Sequence, residues 1–350
     1  MTKNISFLML IFMLSFCYGQ KDSKKYKIRT VAFYNLENLF DTINDIEKND
    51  EASPIMELKT NKKQVYNDKI SKLASVISQL GKEKTKTSPS LLGVAEIENK
   101  KVLEDLIQDK KLKNTSYSII HFDSPDKRGI DVALLYQQRY FKPVHYEVFN
   151  PNIYSENRKV YTRDILWVSG YLDDELIHII VNHWPSRRGG EFKSRPKREK
   201  AAYKVVQIIE KIKQTDEDPK ILIMGDFNDD PINSSFKKVL KTKSKKKNVA
   251  KGDIFNPYEN MYRKGLNTSG YRDNINLFDQ ILISAPLLNT KKIKDFSSYK
   301  MLKSNIFNKR FLTQKKGRYK GYPFRSFLNG KYTGGYSDHY PVYLYLIKED

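Results

Sequence analysis

Four short apolar runs in this 350-residue chain end directly in acidic, amide or imidazole side chains. Short apolar runs of this kind are typical of buried strands, so the polar groups fall at strand ends. Strand ends that gather at one edge of a sheet would bring these groups into one cleft. The polar positions are Asn35 with Glu37, Glu96, Asn182 with His183, and Asp226 with Asn228, and Asp279 and Asp338-His339 extend the series.

Predicted strands alternate with helical segments in both halves of the chain. Ile70, Leu73 and Ile77 recur at the spacing of one helix face, and the segment 200–213 has a similar character. No linker rich in Pro, Gly or Ser separates the halves. The pattern predicts one α/β domain over residues 20–350, with two sheets packed face to face and helices outside. Strands are predicted at 27–35, 91–95, 130–136, 165–172, 176–181, 220–224, 276–284 and 341–347.

The first 19 residues have the features of a secretory signal peptide. Lys3 precedes the apolar run Ile5–Phe16, and the small residues Cys17 and Gly19 follow it. The run is shorter than the roughly 20 apolar residues that a membrane-spanning helix needs. We therefore expect residues 1–19 to be removed and the mature protein to be secreted or periplasmic. Lipid anchoring at Cys17 is the alternative, and the bulky residue before that cysteine disfavours it.

Cys17 is the only cysteine in the sequence. Its removal with the signal peptide would exclude cysteine nucleophiles and thiolate-bound metals from the mature protein. The carboxylate and amide oxygens at the strand ends suit Mg²⁺ or Mn²⁺. A single Asp or Asn after a strand is more often an ordinary turn former. The whole series along one chain is what favours a metal site.

The chain is strongly basic, with a formal net charge of +22. Such a charge suits a polyanionic partner, and nucleic acid is the partner that we expect first. The alternative is a general compositional bias, since the lysines are spread along a chain that is also rich in Asn and Ile. We expect a monomer with no stable protein partner and with no transmembrane segment in the mature chain.

Seven sequence motifs follow one another along the chain: FYNLENLF, LLGVAEIEN, RGIDVALLY, VNHWPSRRGG, GDFNDDP, LFDQILIS and YSDHYPV. They resemble those of the endonuclease/exonuclease/phosphatase superfamily, the fold of pancreatic-type deoxyribonuclease, neutral sphingomyelinases and inositol-polyphosphate 5-phosphatases. The resemblance runs from about Thr30 to Tyr345 and implies a four-layer α/β sandwich of two packed mixed β-sheets flanked by helices. It also implies an active site at one rim of the sandwich.

The resemblance implies a metal site for Mg²⁺ or Mn²⁺. Glu96 resembles the principal metal-ligating glutamate, and Asn35 resembles the asparagine beside it. Glu37 occupies the acidic position two residues later, and Asp338 resembles the metal-side aspartate of the terminal motif.

The resemblance also implies the catalytic residues. His339 resembles the catalytic histidine, and Asp279 resembles the aspartate that orients it. Neighbouring strand residues point in opposite directions, so a partner other than Asp338 makes geometric sense. Asp226 and Asn228 resemble the pair that positions water and phosphate. His183 resembles the second histidine of the deoxyribonuclease branch.

Four residues are expected to contact the substrate. Arg163 resembles a phosphate-contacting arginine of the deoxyribonuclease branch, and Asn182 lies beside His183 at a strand end. Arg187 and Arg188 precede two glycines and would form a flexible phosphate clamp. The alternative for the two arginines is a plain exposed loop.

The sequence departs from the family pattern at two points. The segment Tyr271–Phe278 lacks the tryptophan that abasic-site enzymes often carry before the position of Asp279, so abasic-site recognition is unsupported. Asp131 falls at, or one residue from, the position of an acidic partner for His183 in the deoxyribonuclease branch. His121, like the histidines at 145 and 178, is interpreted as an ordinary strand or surface residue.

Three functions remain open from the sequence. The first is a secreted, metal-dependent endonuclease that acts on DNA or RNA with little sequence preference. The second is a phosphodiesterase or phosphatase on lipid or inositol headgroups, which shares the same core chemistry. The third, a non-catalytic protein that binds polyanions, leaves the acidic series unexplained.

Overall fold

The computed structural model describes residues 24–289 and 295–350, so the predicted signal peptide at 1–19 lies outside the described residues. The strands are β1 (Tyr26–Leu39), β2 (Leu91–Ile97), β3 (Tyr117–His121), β4 (Asp131–Gln137), β5 (Phe141–Phe149), β6 (Tyr154–Ser155), β7 (Arg158–Lys159), β8 (Ile165–Leu172), β9 (Glu175–His183), β10 (Ile221–Asp226), β11 (Ile254–Phe255), β12 (Ser269–Tyr271), β13 (Asn274–Asn276), β14 (Asp279–Ser284), β15 (Lys300–Ile306), β16 (Phe327–Leu328), β17 (Lys331–Tyr332) and β18 (Val342–Glu349). The α-helices are α1 (Lys62–Ile77), α2 (Lys82–Thr85), α3 (Lys100–Gln108), α4 (Glu191–Lys213) and α5 (Tyr258–Tyr262).

Two mixed six-stranded sheets form the centre of the molecule. The first has the strand order β15-β18-β1-β2-β4-β3, and the second has the order β11-β14-β10-β9-β8-β5. Each sheet contains one parallel pair at its middle, β1 with β2 and β9 with β10. Because both strands of a parallel pair end at the same edge, the polar residues after these strands share one rim.

Apolar side chains fill three layers around the sheets. Val31 and Phe33 of the first sheet pack with Leu222 and Met224 of the second to form the core between the sheets. Helices α1 and α3 cover the outer face of the first sheet, and α4 covers the outer face of the second. This arrangement confirms the predicted four-layer α/β sandwich.

The uninterrupted apolar sequence of β10 follows from its position. Every residue of Ile221–Asp226 is buried, because one face of the strand meets the first sheet and the other meets α4. Strands covered on both faces have continuous apolar sequences, whereas half-exposed strands alternate.

The predicted strand at 276–284 is divided in the structure. β13 ends at Asn276 and β14 begins at Asp279. Between them, the Leu277 N–H donates to Asp230 Oδ1 at 2.8 Å, and the Phe278 carbonyl accepts from Phe227 N at 3.0 Å. The interruption ties the start of β14 to the loop after β10. No helix within 24–289 and 295–350 is long and apolar enough to cross a membrane.

Candidate active site

Three neighbouring strands of the second sheet present polar residues in one row. The pairing of β10 sets Asp226 opposite His183 of β9 on one side and opposite Asp279 of β14 on the other. Directly paired residues point to the same face of a sheet. The three side chains are buried at the rim, where they meet the end of the first sheet.

His339 adds an imidazole to this row. Its Nδ1 lies 2.7 Å from Asp279 Oδ2, and its Nε2 lies 3.9 Å from Asp226 Oδ2 and 4.0 Å from Asp338 Oδ1. Burial lowers the pKa of His339, but the carboxylates of Asp279 and Asp226 outweigh burial and raise this pKa well above its ordinary value. The structure therefore pairs His339 with Asp279, and its Nε2 is left facing the cleft.

The first sheet contributes Asn35 and Glu96 from the ends of β1 and β2. The pairing of both strands is irregular there, and Glu96 has a left-handed φ of 58°. Irregularities of this kind redirect side chains at strand ends near active sites. Asn35 Nδ2 donates to Asp226 Oδ2 at 3.1 Å, and Glu96 Oε2 accepts from Asn38 N at 3.0 Å. The Asn35 contact joins the two sheets at the cleft.

The acidic groups of the cleft have the character of a cation site. His183 Nε2 lies 3.7 Å from both Glu96 Oε1 and Asp226 Oδ2, and these three groups can offer ligand atoms within 4.8 Å of one another. Burial, with smaller contributions from neighbouring carboxylates, raises the pKa of Glu96 and raises that of Asp226 to about 6. Buried carboxylates that repel one another gain most from a bound cation. Glu96 and Asp226 therefore fit a divalent metal, and Asp338, whose charge raises the pKa of Glu96, adjoins them.

Glu37 does not join this cluster. Its Oε2 accepts hydrogen bonds from Ser326 N at 2.5 Å and Ser326 Oγ at 2.8 Å, while the buried Lys69 ammonium donates to the Glu37 carbonyl. Burial, followed by the nearby Asp338 carboxylate, raises the pKa of Glu37 to about 7. Because its oxygens already hold the segment around Ser326, Glu37 braces the cleft wall, and the structure does not place it as a metal ligand.

Asp338 lies at the edge of the cleft, next to an arginine that the sequence did not indicate. Arg325 Nη2 donates to Asp338 Oδ2 at 2.5 Å, and Arg325 Nε is 3.6 Å from Glu37 Oε1. Burial raises the pKa of Asp338, but His339 and Arg325 outweigh burial and lower it below its ordinary value. The Asp338 carboxylate is therefore held ionised.

His183 differs from His339 in both charge and partners. Burial, assisted by the positive charge of Arg163, lowers the pKa of His183 well below its ordinary value. Its Nδ1 is buried and has no hydrogen-bond partner among the described residues. Asp131, the partner that the sequence suggested for His183, instead accepts from Ser124 N at 2.9 Å and pairs with His121 at 3.0 Å. A neutral His183 with its proton on Nε2 fits these surroundings.

Arg163 and Asn228 meet at the carbonyl oxygen of Trp184. Arg163 Nη2 donates to this oxygen at 2.6 Å, and Asn228 Nδ2 donates at 3.0 Å. Arg163 Nη1 also donates to Asp126 Oδ2 at 3.1 Å, and its buried Nε has no hydrogen-bond partner in the part of the chain that the structure describes. Asn228 N donates to Asp226 Oδ1 at 2.9 Å. Both residues therefore support the strand ends that carry His183 and Asp226.

Asn182 is not brought into the cleft. Its Oδ1 accepts from the Trp184 indole N–H at 3.0 Å, and its Nδ2 donates to the carbonyls of Ile180 and Met224, both at 3.2 Å. Adjacent strand residues face opposite sides of a sheet. His183 faces the cleft, so Asn182 faces the layer of α4, and the prediction that Asn182 contacts substrate does not fit its position.

Arg187 and Arg188 have different surroundings. Arg187 donates to the Asn228 carbonyl at 2.9 Å and to Asp230 Oδ2 and Asn233 Oδ1, both at 3.0 Å. Its guanidinium is therefore used to hold the loop after β10 and does not form the predicted flexible clamp. Arg188 is exposed.

Residues that the sequence did not indicate complete the site. Lys69, Arg325 and Asp126 are charged groups whose partners lie 257, 13 and 37 residues away in the chain. Lys69 falls on the apolar face of α1, next to Ile70. A lysine at such a position is the only sequence signal among the three, because an unpaired buried charge is rare.

The chemistry available at this rim follows from the geometry. The carboxylates of Asp279 and Asp226 favour the protonated form of His339, burial favours the neutral form of His183, and the carboxylates beside them suit a cation. Such a combination can neutralise an anionic ester, position water and move a proton.

Comparisons with known proteins agree with this geometry. Residues 30–348 match the Endonuclease/Exonuclease/phosphatase family. A comparison with curated proteins gives no match. These 319 matched positions span nearly all of the described residues and every cleft residue named above.

Solved structures share the fold at low sequence identity. A mannosyl-6-phosphatase of Bacteroides thetaiotaomicron has a TM-score of 0.55 and 17% identity, and the alignment covers 91% of this chain and 99% of that chain. An endonuclease/exonuclease/phosphatase family protein of the same organism has a TM-score of 0.53 and 17% identity, with 93% and 97% covered. A humanized D. rerio TDP2 has a TM-score of 0.53 and 12% identity, with 91% and 98% covered. By fold, by motif order and by the matched range, the chain belongs to the Endonuclease/Exonuclease/phosphatase family.

Proposed function

We propose that this protein is an exported, divalent-metal-dependent endonuclease that hydrolyses phosphodiester bonds of DNA or RNA with little sequence preference. The observation that carries the proposal is the convergence of Glu96, His183, Asp226 and the His339–Asp279 pair at one rim. Family membership supports hydrolysis of phosphate esters, and the choice of nucleic acid as substrate is our own.

Glu96, Asp226 and Asp338 would hold the cation, for which we propose Mg²⁺ or Mn²⁺ because the donors are carboxylate oxygens. When bound, the cation supplies positive charge to the phosphate oxygens and the leaving group. Asn35 keeps Asp226 in place through its 3.1 Å hydrogen bond.

The protein's own groups provide the proton chemistry. His339 is held by Asp279, and its Nε2 faces the cleft together with Asp226 Oδ2. His339 is the candidate for exchanging a proton with the reacting oxygens, and Asp226, as a cation ligand, is the candidate for positioning the attacking water. The neutral His183 presents an Nε2–H that can donate to a phosphate oxygen.

The net charge of +22 supports a polyanionic substrate. A polymer of phosphates would gain from this charge at many points, whereas a single inositol or sugar phosphate would gain at few. The expected preference is weak because contacts to phosphates carry no sequence information. Export after cleavage of residues 1–19 belongs to the same proposal, because that segment has the features of a secretory signal peptide.

The decisive experiment is a parallel assay of purified residues 20–350 with Mg²⁺ on duplex DNA, single-stranded RNA, sphingomyelin and a sugar phosphate. The matched control is Glu96→Ala, which removes a cleft carboxylate. We expect cleavage of the polynucleotides by the unmodified protein and almost none by the variant. Hydrolysis of sphingomyelin or the sugar phosphate without cleavage of polynucleotide would replace the proposal with the lipid or inositol headgroup alternative.

A further inference from the structure

A pocket of about 260 Å³ adjoins the catalytic rim on the side of Asp338. Its walls include the rings of Tyr271, Tyr319 and Tyr322, and Asp338 and Arg325 also line it. The pocket therefore adjoins a carboxylate of the proposed metal site, and the reaction described above gives no role to its three tyrosines.

The ring of Tyr322 is seated by a close approach to Gly270. A Cβ atom at Gly270 would lie 2.7 Å from Tyr322 Cδ2, so a larger residue would displace the ring. The Tyr319 ring centroid lies 6.0 Å from that of Tyr322. Backbone hydrogen bonds from Gln314 N to Tyr322 O at 2.8 Å and from Gly321 N to Gln314 O at 2.9 Å close the loop that carries both rings.

Two arginines stand at the mouth of the pocket. Arg272 lies over the Tyr271 ring, with 5.2 Å between the guanidinium carbon and the ring centroid. Arg318 is largely exposed, and its nearest acidic group, Asp273, is 3.9 Å away. The mouth therefore offers two guanidinium groups to an anion, while the interior offers aromatic faces.

These surroundings favour a flat aromatic group that is linked to phosphate. Aromatic faces stack on nucleobases of any sequence, and arginines at the rim bind phosphates. A polyol such as an inositol or hexose needs many free polar groups directed at its hydroxyls, whereas four aromatic rings line this pocket and its Arg325 and Asp338 are already paired with each other.

We infer that this pocket holds one nucleobase of a polynucleotide whose scissile phosphate lies at the cleft of Asp226 and His339. The phosphate next to that base then lies at Arg272 and Arg318. This inference rests on the proposed function and names the subsite that favours nucleic acid over headgroup substrates.

The test compares Tyr271→Ala and Tyr319→Ala with Tyr171→Ala. Tyr271 is 63% exposed and Tyr171 is 44% exposed, so truncating either ring should leave folding intact. Tyr171 pairs with Leu176 at the start of β9, which is the edge of the sheet opposite to the cleft. The substrates are a single-stranded oligonucleotide and one of equal length and charge in which abasic spacers replace the bases.

We expect each pocket variant to raise KM for the normal oligonucleotide on the order of tenfold, with kcat nearly unchanged. The abasic oligonucleotide should show a similarly raised KM with the unmodified protein, and the tyrosine substitutions should add nothing to it. Tyr171→Ala should behave as the unmodified protein with both substrates, and Tyr271→Phe should retain a low KM because the ring is kept.

Two outcomes overturn the inference in distinguishable ways. If polynucleotide is cleaved but the pocket variants leave KM unchanged, or raise it equally for both oligonucleotides, the base subsite is wrong and the nuclease proposal stands. If the unmodified protein cleaves no polynucleotide while it hydrolyses another phosphate ester, the proposed function fails and the subsite fails with it.

Discussion

The two histidines of the cleft differ in the charge that their surroundings favour. His339 lies between the carboxylates of Asp279 and Asp226, which raise its pKa, whereas burial and Arg163 lower the pKa of His183. Two groups of one chemical type with opposed pKa shifts take different roles in acid–base catalysis. We assign proton exchange to His339 and hydrogen bonding in the neutral form to His183.

Replacing His339 or Asp226 with alanine should lower kcat by at least about 10²-fold, as expected for loss of a positioned acid or base. The steady-state rate at saturating substrate measures this loss. His145→Ala is the matched control, because His145 is about half exposed and lies on β5. Near-normal turnover in either cleft variant would show that the assignment of the rim is wrong.

His178 lies outside the cleft and should make the stability of the protein depend on pH. Its Nδ1 is 2.7 Å from Ser169 Oγ and its Nε2 is 3.4 Å from Asp216 Oδ2. Burial lowers the pKa of His178, and Asp216 offsets this only in part. A lowered pKa in the folded state stabilises the fold above the unfolded pKa of about 6.5, and that contribution is lost as the pH falls.

His178→Gln should therefore lose less free energy of unfolding than the unmodified protein between about pH 7.5 and pH 5. Urea unfolding at the two pH values measures the difference. His145→Gln removes only a minor contribution to the lowered pKa of His178 and should reduce the difference slightly. An equal pH response in His178→Gln and the unmodified protein would mean that His178 is not held neutral by burial.

At the scale of elements, the ends of the strands determine the site. β9, β10 and β14 align His183, Asp226 and Asp279 through their pairing register. Apolar runs followed by polar residues predicted these strand ends, because buried strands have a strong local signal. The register of one strand against another depends on contacts distant in sequence, so the row itself was not predictable from these runs.

The positions of Asn182 and Arg187 show where sequence patterns are insufficient. Asn182 is next to His183, yet strand alternation directs its side chain to Trp184 on the α4 side. Arg187 follows a strand in a polar, glycine-containing segment, which indicates a mobile loop. Its partners Asp230 and Asn233 come from a loop more than 40 residues later, and no local signal reveals them.

Arg187→Ala should destabilise the loop after β10. The guanidinium donates to the Asn228 carbonyl and to the Asp230 and Asn233 side chains. A hydrogen bond that involves a charged group contributes roughly 1.5–3 kcal/mol to stability. The free energy of unfolding should fall by about 1–3 kcal/mol. Arg188→Ala, at the exposed neighbouring position, should leave it nearly unchanged. Equal effects of both substitutions would contradict the bracing role.

At the scale of the whole molecule, the net positive charge and the active-site rim would both contribute to the proposed binding of a polyanion. The chain carries 63 Lys and Arg against 41 Asp and Glu, whereas the cleft itself brings together the carboxylates of Glu96, Asp226, Asp279 and Asp338. A basic surface attracts a polyanion, and a cation-binding cleft then receives one of its phosphates. The family fold provides the cleft, and the charge is a property of this chain.

Binding of an oligonucleotide to the inactive Glu96→Ala variant should weaken steeply as salt is added. Lysine and arginine contacts to phosphates release counterions, so affinity should fall by at least about tenfold between roughly 50 and 200 mM salt. Fluorescence anisotropy measures the affinity. Arg318→Ala should reduce the salt dependence, and Lys142→Ala, at the edge opposite to the cleft, should not. A flat salt response would mean that the lysine excess is only compositional.

The most direct test of the account is hydrolysis of a long polynucleotide before and after removal of divalent cations, because Glu96, Asp226 and Asp338 are proposed to bind such a cation. EDTA should abolish cleavage by residues 20–350, and added Mg²⁺ or Mn²⁺ should restore it. Glu96→Ala should stay inactive at the same cation concentration while it retains the melting temperature of the unmodified protein. Full activity after exhaustive chelation would contradict the account.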